Sequence, residues 1–173
     1  PWKGLKMPRI LLYGFGPYDN HETNISGELV RQMRLPGVQR RVFDVCFDRS
    51  MFIDTVDTCD PDLVIGLGLS ARSRKIRIER KAVNLMGERS EKKRPINRQG
   101  PEQIFMPLDI PYDERARLSY DAGTYVCNFS MYVIADHFRD SGRLSGFVHL
   151  PKRCGMREAE AFVKQFVEQI LRS

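Results

Sequence analysis

The stretch DAGTYVCNFSMYVIADH, residues 121–137, sets Cys127 directly in front of an amphipathic run. Asp121, Ala122 and Gly123 turn the chain, and Phe129, Tyr132, Val133 and Asp136 recur at helical spacing. A thiol at the mouth of a helix meets unpaired backbone N–H groups and the positive end of the dipole. Its expected pKa is therefore lowered toward a reactive thiolate. The competing reading is a small buried side chain, the commoner fate of a free cysteine. A cysteine nucleophile also needs a histidine in hydrogen-bond reach and a group to orient that histidine. His137 lies on the same helix, about 15 Å further along at 1.5 Å per residue, and cannot reach. His21 sits in a polar loop. His149 stands near the end of GFVHLP, at the carboxyl end of a strand, where open α/β sheets gather their sites. A satisfied core histidine is the alternative. For the orienting acid, Glu79 is a carboxylate in an otherwise apolar and basic strand, costly to bury unpaired. Its alternative is a surface pair with Arg77 or Lys81.

The elements that must position these groups alternate along the chain. RILLYGF (9–15) reads as a buried strand and 24–33 as a helix capped by Asn24 or Ser26. QRRVFDVCF (39–47) alternates as a strand, and SMFIDTVDTC (50–59) reads as a helix capped by Ser50. DLVIGLGL (62–69) is a continuous apolar strand. This order predicts an α/β domain with a mostly parallel, twisted sheet, right-handed crossovers and helices on both faces. KIRIERKAV (75–83) places Ile76 and Ile78 on one face and Arg77 and Glu79 on the other. Periodicity fades over 84–118, a loop long enough to suggest a mobile cover over a pocket. GFVHLP (146–151) is a short strand. The last helix carries Phe162, Val163, Phe166, Val167, Ile170 and Leu171 as a core-facing stripe.

The totals narrow the function classes. At 173 residues, with 42% hydrophobic and 29% charged residues, the chain suits one globular domain spanning 1–173. Residues 1–7 read as a frayed or appended end. No apolar run is long enough for a membrane helix. The start lacks an apolar signal region, so the expected location is the cytoplasm. Cys46, Cys59, Cys127 and Cys154 are scattered and read as free thiols, with no metal-binding spacing and no cofactor expected. The net charge of +6 (28 basic, 22 acidic) sits largely in 71–81 and 88–98. Without interleaved aromatic residues, those runs do not read as a nucleic-acid surface.

Taken together, four stretches resemble pyroglutamyl peptidase I (pyrrolidone-carboxylate peptidase), a family of cysteine peptidases. LLYGFGPYDNHETNISGELV looks like its GFxPFxx…NPS segment, and DLVIGLGLSARSRKIRIERKAVN like its LGxAxxRxxIxxERxAxN signature. DAGTYVCNFSMY resembles AGxYxCN, and GFVHLP resembles GFxHxP. The stretches occur in the family's order over residues 10 to 151. The resemblance implies Cys127 as nucleophile, His149 as base and Glu79 orienting the imidazole. It implies Phe15 and Tyr18 around a flat pyroglutamyl ring, Asn24 beside them, and Arg89 assisting the reaction. The implied partners are peptides with a blocked N-terminus, and a homo-oligomer is compatible. Departures are the hydroxyl of Tyr18, Asp19 and Asn20 in place of glycines, Ile25 after Asn24, and Leu69 in place of a glutamine. A helix expected before Cys127 is also absent, since 109–120 is short and proline-punctuated. Two further readings keep the pocket: an amidase for another small acyl group, and a catalytically weak binding protein.

Overall fold

Alternation along the first strand decides the layering. In the computed structural model, which describes residues 7–19, 22–88 and 90–172, β1 spans Ile10–Phe15. Ile10 and Leu12 join one core cluster, while Leu11, Tyr13 and Phe15 join a second on the opposite face. Of the end expected to fray, only Met7 is described, and it is exposed.

The helices sort accordingly. α1 (Ile25–Gln32) and α4 (Met156–Arg172) cover the first face, and α2 (Arg49–Cys59) and α3 (Val126–Phe138) cover the second. The α4 stripe buries Phe162, Val163, Phe166, Val167 and Ile170. Each such side chain contributes about 1.5–3 kcal/mol relative to exposure.

The main sheet runs β2 (Val38–Phe43), β1, β3 (Leu63–Ser70), β8 (Leu144–Pro151), β4 (Ile76–Glu79), β7 (Ala116–Ser119). The first four strands are mutually parallel. β4 opposes β8, and β7 follows β4 in parallel. β5 (Lys81–Val83) and β6 (Gln103–Phe105) form a separate antiparallel pair. The fold is thus the expected α/β type, mostly parallel with helices on both faces.

Four local expectations change. The strand predicted over 39–47 stops at Phe43, because the chain then turns into the α2 cap. That cap is Asp48 rather than Ser50: Asp48 Oδ1 accepts from Ser50 N at 3.0 Å and Met51 N at 3.3 Å. The run 75–83 is two strands, since Arg80 N donates to Ser119 O at 2.7 Å while Arg80 O accepts from Met106 N at 2.9 Å. The chain changes partner, and therefore sheet, at that residue. Finally, 84–118 contains β6 and most of β7; the stretch 109–120, read as too short for a helix, carries that edge strand at Ala116–Ser119.

Candidate active site

β4 and β8 bring the acid and the base together through register. Arg77 lies opposite His149, and Glu79 opposite Phe147, so the side chains at 77, 79, 147 and 149 share one face of the sheet. His149 Nδ1 donates to Glu79 Oε1 at 2.7 Å, leaving Nε2 with the free lone pair. The Phe147 ring backs the imidazole edge-on, with centroids 5.0 Å apart. Glu79 is only 1% exposed, which removes the surface-pair alternative. Arg77 Nη2 also reaches Glu79 Oε1 at 2.7 Å, so the two partners weighed as alternatives hold the carboxylate together. Burial pushes the Glu79 carboxyl up, but the hydrogen bond and charge of His149, with Arg77, more than offset it and hold it below its usual range.

The thiol arrives on the same face from α3. Cys127 is the second residue of that helix, whose N-cap, Tyr125, makes no side-chain cap bond. The first-turn N–H groups are thus left without side-chain caps. Gly68 neighbours His149 in the sheet, and a Cβ placed on it would lie 2.8 Å from Cys127 Sγ. The absence of a side chain at 68 is what lets the sulfur settle beside the histidine strand. The expectation of a lowered thiol pKa is overturned: burial, reinforced by the charge of Glu79, pushes it up to about 12. Arg77 and the Cys127 backbone N–H pull it down, but less strongly. Desolvation here outweighs the helix terminus. His137, by contrast, bonds Asp57 at 2.8 Å, away from this site.

A cavity of about 580 Å³ opens over these groups, and Phe15, Tyr18, Asn24, Leu69, Cys127 and His149 line it. Phe15 is buried against Tyr13 and Phe52, so it is core packing and cavity wall at once. Tyr18 is half-buried and lies 6.3 Å from the Tyr125 ring. Asn24 is engaged by its own chain: Oδ1 accepts from Ser26 N and Oγ, and Nδ2 donates to Gly16 O. It therefore shapes the wall while capping α1. Asp19, where the resemblance expects glycine, has φ of 49°, in the left-handed region that glycine favours and Asp tolerates. Asn20, His21 and Arg89 lie outside the described residues. All four cysteines are free, and no metal-binding cluster occurs among the described residues.

Two contributors to the geometry of the site were not singled out from the sequence. Arg77, weighed there only as a surface partner of Glu79, is one. The other is Asn128, beside the thiol: its Oδ1 accepts from Val83 N at 2.8 Å, and its Nδ2 donates to Val83 O and Leu85 O at 2.9 Å. It serves as a strand partner for β5. Asn84 then holds Ile96 and Asn97, and Tyr132 OH donates to Pro101 O at 2.8 Å. The segment expected to be a free cover is fastened to α3 along much of its length.

An α/β sheet that brings a thiol and an imidazole to one cavity, with a buried carboxylate behind the imidazole, has the groups that thiol-based acyl transfer requires. Comparison with known proteins agrees. Residues 8–105 and 109–156 match the family model described as pyroglutamyl peptidase. A pyrrolidone-carboxylate peptidase of Vibrio vulnificus is 34% identical over 167 residues, covering 84% of this chain and 79% of that protein. One from Halalkalibacterium halodurans is 32% identical over 166 residues, covering 82% and 83%. A mutant pyrrolidone carboxyl peptidase from the hyperthermophile Pyrococcus furiosus superposes with a TM-score of 0.83 at 24% identity, over 94% of this chain and 98% of that one. Pyroglutamyl peptidase I of Bacillus amyloliquefaciens gives 0.74 at 24% identity, over 83% and 82%. At such identity the structures speak to fold alone. The family match and the Vibrio relative carry the assignment, and the chain belongs to the pyroglutamyl peptidase family.

Proposed function

We propose that this chain removes an N-terminal pyroglutamyl residue from peptides, with Cys127 as nucleophile, His149 as base and Glu79 as orienting carboxylate. The observation that carries this reading is the buried Glu79–His149 pair, at 2.7 Å, whose imidazole lines the same cavity as Cys127. With its pKa pushed up to about 12, the thiol is protonated at neutral pH, so attack requires proton transfer to His149 Nε2. Sulfur then bonds to the carbonyl carbon of the scissile amide, and the first-turn N–H groups of α3 face the resulting oxyanion. His149 returns the proton to the amide nitrogen, the C–N bond breaks, and the peptide leaves as an amine. Water, deprotonated by His149, cleaves the thioester and regenerates the thiol. Glu79 keeps the Nδ1–H tautomer throughout.

Selectivity follows from the wall. Phe15, Tyr18 and Leu69 offer apolar surface to an uncharged lactam, whereas a free α-ammonium would have to be desolvated there. The four free cysteines favour a reducing cytoplasm. Hydrolysis of pyroglutamyl-aminomethylcoumarin, with and without iodoacetamide, tests the reading. Thiol-sensitive release of coumarin is expected, and absence of release would refute it. Leu69 on the wall favours one second reading, an amidase for another small acyl group. A higher kcat/KM on acetyl- or prolyl-coumarin than on the pyroglutamyl substrate would select that one.

A further inference from the structure

Arg77 does more than neutralise a buried carboxylate. Its Nη2 touches three parts of the site at once: Glu79 Oε1 at 2.7 Å, Asp121 O at 3.3 Å and His149 Nδ1 at 3.3 Å. The Nδ1–H of His149 and the guanidinium charge of Arg77 therefore converge on one carboxylate oxygen, while Nη2 donates to the loop that enters α3 ahead of Cys127. That loop is fixed from its other side, where Gly123 N donates to Asp121 Oδ1 at 2.9 Å and Gly87 N to Thr124 O at 3.0 Å. One guanidinium thus joins the acid, the base and the lead-in to the nucleophile.

We propose that Arg77 is a positioning residue of this site, holding Glu79 in place as the carboxylate that orients His149 and setting the approach of the Cys127 helix. The proposal rests on the reading of Cys127, His149 and Glu79 given above. The charge of Arg77 also acts on the thiol, which it pulls down against burial and Glu79. The other charged and titratable groups around the cavity are His149 on β8, Arg72 after β3, and Asp19 and Asp121 at the mouth. Tyr18 and Tyr125 complete the wall, and burial pushes both phenols up, so they stay neutral.

The test uses Arg77→Met, Arg77→Gln and Arg77→Lys in a background where Cys46, Cys59 and Cys154 are serine. Three readouts are taken: kcat and KM on pyroglutamyl-coumarin, the pH dependence of Cys127 alkylation by iodoacetamide, and Tm. Losing the ion pair with Glu79 should lower kcat about tenfold or more in Arg77→Met, with KM changed by no more than about twofold. Its alkylation profile should move to higher pH, because a nearby cation no longer favours the thiolate. Arg77→Gln should follow Arg77→Met, which covers failure of either variant to fold, and Arg77→Lys should recover most of both effects. A lowered Tm with kcat and alkylation profile unchanged makes Arg77 merely structural and overturns the proposal. A loss of kcat that lysine does not recover, with the profile unmoved, overturns it equally. If the parent protein cleaves no pyroglutamyl substrate, the substrate reading fails while the alkylation profile still decides on Arg77.

Discussion

Cys127 and Glu79 can be separated experimentally because one forms the covalent bond and the other only holds its base. Cys127→Ser should lower kcat by at least about a thousandfold. Serine at 46, 59 or 154 should leave most of it, since none of those side chains lines the cavity with His149. Mass spectrometry of the iodoacetamide adduct checks the assignment, which fails if a different cysteine is labelled as activity is lost. Glu79→Gln should keep the fold and lower kcat about a hundredfold or more, because a neutral partner neither fixes the tautomer nor stabilises imidazolium. The pH–rate profile of the parent should be bell-shaped, and its two limbs belong to the coupled thiol–imidazole pair. An unchanged rate and profile in Glu79→Gln would leave Glu79 without a role in the reaction. At this scale the sequence was legible where residue type and strand position carry the chemistry: His149 stood near a strand end, and Glu79 was the carboxylate in an otherwise apolar and basic strand. The raised thiol pKa was not legible, because a helix terminus is a local feature whereas desolvation is a property of the whole pocket.

Among the elements, β3 and the β4–β5 break control how close the reacting groups come. Gly68→Ala would push a methyl to 2.8 Å from both Cys127 Sγ and the Phe147 ring, so one of them must move. Expected outcomes are a loss of roughly 1–3 kcal/mol from overpacking and a kcat loss exceeding tenfold. Denaturant melts and steady-state rates measure both, and wild-type values would show that the sulfur does not need this approach. Asn128→Ala would strip β5 of two hydrogen bonds at Val83, and Leu85 just beyond it of a third. It should cost about 1–3 kcal/mol for the buried groups left unpaired and expose 84–101 to limited proteolysis. Unchanged proteolysis would mean the segment is held elsewhere. The early strands, α1, β8 and α4 were readable because their apolar periodicity matches their burial. The division of 75–83 was not: Arg80 interrupts the apolar phase of Ile76, Ile78 and Ala82, but only its partners, Ser119 and Met106, reveal the change of sheet. Asn128 gave no signal either. Its work is to stand in for a strand, and hydrophobic pattern is blind to that.

For the whole molecule, the site should make stability depend on pH at both ends of the scale. Glu79 is held below its ordinary 4.5, so the unfolded chain takes up its proton first as pH falls. Its contribution is fully present above 4.5 and is lost as pH drops through the folded value. Cys127 works in the opposite sense. Its ordinary value of 9.0 rises to about 12 in the fold, so the unfolded chain loses the proton first as pH climbs. Its contribution is complete below 9.0 and is lost between there and about 12. Urea midpoints against pH for the parent, Glu79→Gln and Cys127→Ala read the two contributions at opposite ends of the scale. The parent should lose ground to Glu79→Gln below 4.5, and to Cys127→Ala above 9.0. Burial is the common cause, yet it acts with opposite outcomes on the two groups. The carboxyl has a cation and an imidazole to offset its desolvation, whereas the thiol has Arg77 and one N–H against a neighbouring carboxylate. Should the Cys127→Ala curve run parallel to the parent through the alkaline range, the folded thiol keeps its ordinary 9.0, and neither burial nor the charge of Glu79 raises it.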